Sequence, residues 1–310
     1  MYFPYLRGKQ FELLALRGLA ALPIDGSKIS PIIGPLKFDT KSIITMVKSI
    51  PADVQVQLIV NPEHGEIKLG DKTIAELIVT LNRVGHKNVV PTFIISKNSD
   101  LPLLKSFLKE FKFESSGYSL IHLNQIAGIS DLISLVQTTK CLFNIILVNQ
   151  VMALKRSFPG SPLAYLSDPF NRQVKNSDYT HTTDENFSND HLYYQKEGFD
   201  GYGDYLTIGS PYVEGGRLPW AVAIHLTYED DIKNIRIRHF VSDSNTDSSD
   251  TAGKFSEALD KLIIFIDGRR INTIAANEFR DLHARGAFPG LGSVKKLSIM
   301  HHIELMQSLL

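Results

Sequence analysis

Short apolar runs alternate with amphipathic segments along the first two-thirds of the chain. Most of the runs are almost continuously apolar, which is typical of strands buried on both faces of a parallel sheet. A run recurs at intervals of roughly 30 residues, the length of a βαβ unit. The pattern predicts eight strands, at Tyr2–Leu6, Ile29–Leu36, Val54–Val60, Val89–Ile95, Tyr118–Leu123, Leu142–Val148, Leu163–Leu166 and Tyr205–Ile208.

The segments between the runs carry apolar residues at helical spacing. The first such stripe consists of Phe11, Leu14, Ala15, Leu19 and Leu22. Eight strand candidates separated by such segments favour a closed (β/α)8 barrel of the TIM type, with an open doubly wound sheet as the competitor. No glycine-rich dinucleotide fingerprint follows the first strand. We therefore predict an α/β fold in which residues 1–310 form a single TIM-barrel-like domain.

The regular alternation ends near Leu166, and three elaborations are predicted beyond it. Residues 168–204 are polar and aromatic without periodicity, which predicts a long, lid-like insertion before the last strand. Residues 219–242 alternate as a β-hairpin, with His225 and His239 as cross-strand packing residues. The helical patterns of residues 253–310 predict helices at the end of the chain.

Composition narrows the classes of function. The chain has 33 basic and 33 acidic residues, so its formal net charge of +0 argues against direct nucleic-acid binding. Cys141 is the only cysteine, and we interpret it as a small buried hydrophobe of a reducing compartment. With no signal-peptide pattern and no long apolar stretch, we expect a cytoplasmic protein without membrane contact.

Polar residues follow every predicted strand, where barrel enzymes place their chemistry. Cations there could hold an anion, and amides could orient it by hydrogen bonds. Because arginine can clamp a phosphate or carboxylate, Arg7-Gly-Lys9 is the leading anion site, although its cations could instead pair with Glu12. Ligand-binding candidates are therefore Arg7, Lys9, Lys37, Asn61, Asn124 and Asn149, with Lys97 as a further cation.

Four residues are candidates for catalysis. Asp168 directly follows the seventh strand, and Asp204 precedes the eighth in Asp200-Gly-Tyr-Gly-Asp204. Glu63 and His64 pair a carboxylate with an imidazole that could perform acid–base chemistry. Turn-capping or a solvated loop is the alternative role for each of them. No zinc-type spacing or nucleotide-binding motif occurs, so no metal is predicted and the cofactor stays unassigned.

Four segments resemble the Beta protein family of phages and bacteria. They are Tyr2–Arg17, Ile29–Ile33, Glu197–Tyr205 and Ala221–Tyr228. The resemblance implies a barrel-like fold, a setting in mobile elements or defence islands, and a nuclease-like partner encoded beside the chain. It supplies neither a reaction nor catalytic residues.

Two hypotheses follow from the residues and the resemblance. The first is a component of a bacterial antiphage defence system whose barrel senses or processes a small anionic ligand, nucleotide-like or phosphorylated. The second is a non-enzymatic scaffold that binds a co-encoded nuclease-like effector. The residues leave open whether the barrel is an enzyme.

Overall fold

The computed structural model describes residues 1–20, 24–215 and 218–310, so Leu22 of the first predicted stripe lies outside the described residues. The chain forms two compact units. The first takes the described residues of 1–13, 22–167 and 192–205, and the second takes those of 14–21, 168–191 and 206–310.

The first unit is a closed barrel of eight parallel strands, which confirms the predicted (β/α)8 fold. The last barrel strand pairs with both the seventh and the first strand, and this double pairing excludes the open sheet. The barrel strands are β1 (Tyr2–Leu6), β2 (Ile32–Ile33), β3 (Val56–Ile59), β4 (Val89–Ile95), β5 (Tyr118–His122), β6 (Cys141–Leu147), β7 (Leu163–Ser167) and β9 (Gly201–Asp204), whereas β8 (Asp184–Ser188) belongs to the second unit.

In the described part of the chain, eight helices accompany these strands. Five of them have at least nine residues, and the other three are single turns. They are α1 (Gln10–Leu19), α2 (Lys41–Ser49), α3 (Thr73–Arg83), α4 (Asp100–Phe111), α5 (Phe113–Ser116), α6 (Ile129–Thr138), α7 (Val151–Leu154) and α8 (Asp190–Tyr193).

Side chains fill the interior of the barrel. Successive residues of a strand point to opposite faces, so one set from every strand meets on the barrel axis. The rings of Phe3 and Phe143 meet edge to face there, with centroids 4.9 Å apart. The buried cluster contains Phe3, Ile32, Ile59, Ile94, Ile121, Ile145, Ala164, Leu166 and Tyr205. The barrel is therefore a packed core and not a pore.

A chain of buried polar side chains crosses this interior. The Gln57 amide donates to the Ser30 hydroxyl over 3.1 Å, and the Thr92 hydroxyl donates to the Gln57 carbonyl oxygen over 3.0 Å. All three residues are fully buried. Each side chain therefore needs a hydrogen-bond partner inside the protein. This series of hydrogen bonds links β3 and β4 to the segment before β2.

The eighth barrel strand corrects one prediction. We expected it at Tyr205–Ile208, but the strand is Gly201–Asp204 and Leu206–Ile208 form a 3-10 turn. Glycines weaken the sequence pattern that predicts a strand, yet at two positions of β9 only glycine fits. A Cβ on Gly201 would lie 2.6 Å from the Phe3 ring, and one on Gly203 would lie 2.3 Å from the Phe3 carbonyl oxygen.

The second unit contains an antiparallel sheet of order β10–β11–β8 and three long helices. The predicted hairpin is confirmed as β10 (Ala223–Glu229) and β11 (Ile235–Val241). We did not predict β8, which lies in the segment expected to be irregular. The helices are α9 (Thr251–Gly268), α10 (Ile274–Arg285) and α11 (Leu291–Leu309).

His225 and His239 face each other across the hairpin, as predicted. Their Nδ1 atoms lie 2.7 Å apart, and His239 Nε2 lies 3.1 Å from a carboxylate oxygen of Glu185 in β8. The acidic partner requires a proton on Nε2 of His239, so in the neutral pair His225 donates to His239 through Nδ1. Burial lowers the pKa of His225 well below its ordinary value, and the repulsion that two charged imidazoles would have lowers it further.

His301 joins three elements of the second unit. Its Nε2 lies 2.7 Å from the carbonyl oxygen of Thr227, which can only accept, so this nitrogen carries the proton. Nδ1 then accepts from the Thr273 hydroxyl at 2.8 Å, and that hydroxyl caps α10 by accepting from the Ala276 N–H. Burial lowers the pKa of His301 to about 4. A neutral imidazole thereby links β10, α10 and α11.

We expect Gly203→Ala to lower the free energy of unfolding by about 2 kcal/mol, because the new Cβ would strike the backbone of β1. Gly268→Ala is the matched control. Its Cβ would meet nothing within 4 Å in α9, so stability should stay equal or rise by about 0.5 kcal/mol. Urea denaturation of both variants measures the difference. Equal stabilities would show that β9 does not need glycine to close the barrel.

Candidate functional site

Two aromatic rings and an arginine meet where β1 ends. Tyr5 and Tyr205 lie with their ring centroids 4.8 Å apart, and the Arg7 guanidinium lies 5.6 Å from the centroid of the Tyr205 ring. Gly8 adopts a φ of +63°, which lets the chain turn directly after Arg7 into α1. Arg7 is 6% exposed, so its cation is held close to the barrel and not in open solvent.

Glu12 lies beneath this turn as the third residue of α1. Its Oε2 accepts from the backbone N–H of Arg7 at 2.6 Å and of Lys9 at 3.4 Å, as in the glutamate half of a capping box. The side chain is 1% exposed, and its other oxygen, Oε1, is buried without a hydrogen-bond partner. A buried carboxylate oxygen without a donor is costly.

The Tyr5 hydroxyl lies within electrostatic range of these groups. Burial raises the pKa of Tyr5 well above its ordinary value, and Tyr205 and Glu63 raise it further. The hydroxyl therefore keeps its proton at neutral pH and can donate a hydrogen bond.

A cavity of about 280 Å³ opens at the carboxyl ends of β3 and β4. Its charged lining consists of Glu63, Lys68, Lys97 and Asp100. Asp100 is committed to the fold, because its Oδ2 accepts from the backbone N–H groups of Ser96 and Lys97 at 2.8 and 2.9 Å. Lys68 and Lys97 are exposed, so their ammonium groups are the cations that a ligand in this cavity would meet.

Two of the predicted amides stabilise strand ends. Asn61 donates to the Ile94 carbonyl oxygen at 2.9 Å and accepts from the Ile94 N–H at 2.8 Å. Asn124 donates to the Ser96 carbonyl oxygen at 3.3 Å. Asn61 also lines the cavity, but both ends of its amide are already bonded to the backbone of β4. Its role as a ligand-binding residue remains a prediction.

The other predicted ligand-binding residues differ in exposure. Arg7 is buried and Lys9 is half-buried, whereas Lys37 and Asn149 are exposed in the segments after β2 and β6. Arg7 therefore belongs to the group at the end of β1. Lys37 and Asn149 lie outside the lining of the cavity.

The predicted catalytic residues occupy separate environments. Asp204 lies on the outer face of β9, opposite in direction to Tyr205, and accepts from the Tyr2 hydroxyl at 2.7 Å. Asp168 is part of the second unit, where it accepts from the Ser210 N–H at 2.8 Å. Glu63 lines the cavity, and its exposed neighbour His64 does not. Within the barrel unit, the structure thus places only Glu63 at the cavity.

Three residues of this region escaped the sequence analysis, namely Tyr5, Tyr205 and Lys68. Tyr5 lies inside a strand whose sequence is uniformly apolar. Tyr205 was assigned to the eighth barrel strand, which ends one residue earlier, at Asp204. The spacing from Phe3 to Tyr5 and Arg7 was the available signal, since alternate residues of β1 share the inward face.

Two further titratable side chains of the barrel lie outside this site, the buried His122 and the half-buried Cys141. His122 lies 3.0 Å from the Asn144 amide oxygen, and burial lowers the pKa of His122 to about 4. Burial raises the pKa of the Cys141 thiol to about 12. Neither a charged imidazole nor a thiolate is therefore available there near neutral pH.

Within the described ranges, no three His, Cys, Asp or Glu side chains are arranged to hold a metal ion. No helix in the same ranges is both long enough and apolar enough to cross a bilayer. The chain matches no protein-family model and no curated protein sequence. Function is therefore inferred from the geometry of the site.

We expect Asn61→Ala to lower the free energy of unfolding by about 1–3 kcal/mol, because it leaves the N–H and carbonyl of Ile94 without their partner. Asn149→Ala is the matched control, since this exposed amide should cost less than about 0.5 kcal/mol. Thermal or urea unfolding distinguishes the two variants. If both are neutral, Asn61 does not hold β3 against β4.

Proposed function

We propose that the barrel binds a small anionic ligand, nucleotide-like or phosphorylated, at the carboxyl ends of its strands. The observation that carries this proposal is the cavity after β3 and β4, which is lined by the cations Lys68 and Lys97 together with Glu63. Concave sites with a few polar groups are the usual form of small-molecule sites, and barrels bind ligands at this end.

Each part of the site suits one part of such a ligand. The lysines supply point charges for a phosphate or carboxylate, and Arg7 supplies a planar cation near the barrel axis. The Tyr5 and Tyr205 rings pack against each other, and Tyr205 holds the Arg7 guanidinium 5.6 Å from its ring centroid, so this pair fixes the position of the arginine. Glu63 disfavours a second anion beside it and favours a hydrogen-bond donor, such as a hydroxyl or an amino group.

Sensing is favoured over chemical processing. Glu63 is the one predicted catalytic side chain of the barrel unit at the cavity, and Asp204 faces away from the interior. Acid–base catalysis normally requires two groups within reach of the same atoms. A receptor for the ligand needs only the cations and the concave surface that they line.

The resemblance to the Beta protein family supports a biological setting for this receptor. We propose that the chain is a component of a bacterial antiphage defence system and that ligand binding in the barrel is its signal. In such a system, a substitution at the cavity should abolish protection without preventing folding.

Lys97→Gln should weaken binding of adenosine monophosphate and of inorganic phosphate about tenfold, because it removes an exposed cation of the cavity. Lys48→Gln removes the same charge from an exposed position of α2 and should bind like the wild type. Isothermal titration calorimetry measures both, and a phage-protection assay should rank the variants identically. Arg7→Gln should have a larger effect but also removes a buried side chain.

Two results would contradict the proposal. A wild-type protein that binds neither probe, or a Lys97→Gln variant that binds both unchanged, overturns the assignment of this cavity. The surface position of Lys97 makes misfolding a poor explanation for lost binding.

A second candidate function, a scaffold for a co-encoded nuclease-like effector, is favoured by exposed apolar side chains in the barrel unit. Phe38, Leu69, Val148 and Met152 all follow strands β2, β3 or β6, at the carboxyl end of the barrel. Met152 is 88% exposed, and apolar side chains that are exposed together at one end of a barrel are typical of a protein–protein contact.

If this end of the barrel contacts the effector, Met152→Glu should abolish co-purification of the co-encoded protein. Val84→Glu is the control, since Val84 is 64% exposed but lies at the end of α3, just before β4 begins. Affinity purification of the co-expressed pair gives the result. Retention by the Met152→Glu variant, or loss by both variants, counts against a contact at this end.

A further inference from the structure

A second cavity lies between α9 and α10 in the second unit. It has a volume of about 260 Å³. Phe255, Leu259 and Leu282 form buried walls, and the rings of Phe255 and Phe288 lie with centroids 5.3 Å apart. Apolar cavities of on the order of 150 Å³ already take benzene-sized molecules. The space therefore suits a single aromatic ring.

The fold keeps this space open. Gly253 and Gly286 line the cavity, and each is required for another reason. A Cβ on Gly253 would lie 2.2 Å from the Asp250 carboxylate that caps α9. Gly286 ends α10 in the left-handed conformation, with a φ of +56°. Larger residues at these two positions would fill the cavity but damage both helix ends.

The polar rim of the cavity selects the head group of a ligand. His283 Nε2 lies 2.9 Å from the Asp260 carboxylate, so Nε2 carries a proton and a neutral ring leaves Nδ1 as an acceptor. Ser256 lies one helical turn before Asp260 and lines the same cavity. The rim thus offers an acceptor nitrogen together with a hydroxyl that can donate or accept.

The charges at this rim disfavour an anionic head group. Asp260 carries a negative charge beside His283, and the N–H of Gly253 in the first turn of α9 already donates to Asp250. A carboxylate would meet repulsion without a free helix amide from Gly253 to offset it. A hydroxyl, in contrast, can donate to His283 Nδ1 and accept from Ser256.

Ser256, His283 and Asp260 are also the residue types of a hydrolytic triad. In the described structure, however, no hydrogen bond joins Ser256 to His283, and such a bond is what activates a serine nucleophile. The geometry therefore supports recognition by this rim and not nucleophilic catalysis.

We infer that the cavity between α9 and α10 binds a neutral aromatic molecule that carries a hydroxyl group, a ligand of the phenol class. The ring occupies the space between Phe255, Leu259 and Phe288. The hydroxyl bonds to His283 and Ser256. This site is separate from the anion site proposed for the barrel, and its ligand belongs to a different chemical class.

Three matched probes test the inference, namely p-cresol, toluene and 4-methylbenzoate. The wild-type protein should bind p-cresol about fivefold more tightly than toluene, the factor expected for one net hydrogen bond, and should not bind 4-methylbenzoate measurably. Ligand-observed NMR titration of the full chain gives the three affinities. Equal affinities for all three, or no binding of p-cresol, would overturn the inference.

Variants separate the cavity from its rim. Ala252→Phe adds a ring at an exposed lining position of α9 and should abolish binding of both p-cresol and toluene. His283→Phe should retain toluene and lose the preference for p-cresol. Ile264→Ala is the control, because Ile264 lies on α9, is 75% exposed and does not line the cavity. The Lys97→Gln variant should bind p-cresol unchanged, so failure of one site is distinguishable from failure of the other.

Discussion

The pairing of β9 with β1 is the constraint on which the barrel depends. Seven parallel strands alone leave two open edges, and only β9 contacts both β7 and β1. Its two glycines let the backbones of β1 and β9 lie side by side while the Phe3 ring occupies the barrel axis. Because the strand ends are fixed by this closure, Arg7 and Tyr205 are brought together from opposite ends of the barrel sequence.

Many buried polar groups of both units have defined partners, and these partners distinguish structural from functional side chains. Asn61 is a predicted ligand-binding residue, yet its hydrogen bonds, like those of the buried Gln57, Asp100 and His301, go to the fold. Glu12 differs, since one of its oxygens caps α1 and the other is buried without a donor. Such an oxygen is the kind of group that a bound molecule or a water satisfies.

The sequence predicts the barrel well because buried parallel strands leave a strong pattern. β1 and β4 begin and end where apolar periodicity places them, five other barrel strands overlap their predicted ranges, and β10 and β11 both lie within the predicted hairpin of residues 219–242. β8 escaped because Asp184-Glu-Asn-Phe-Ser188 becomes a strand only through its pairing with β11, a partner almost fifty residues later in the chain. Strand propensity depends on the local sequence, so it does not detect pairing with such a distant strand.

The site was only partly accessible to the same reasoning. Arg7, Glu63 and Lys97 were found because strand ends in a barrel point to one rim. The aromatic neighbours were missed, since Tyr205 depends on the true position of β9. The outward direction of Asp204 follows from the alternation of faces along β9, so it could not be predicted without the correct position of that strand.

The order of the strands along the chain has a consequence for biosynthesis. β8 leaves the ribosome before β9, but its partner β11 follows only some thirty residues after β9. A nascent chain that ends soon after Asp204 can therefore close its barrel while β8 still lacks a neighbour. During that interval β8 is an unpaired strand edge, of the kind that chaperones recognise and that promotes aggregation. Its acidic residues Asp184 and Glu185 are the charges that protect such an edge until β11 is made.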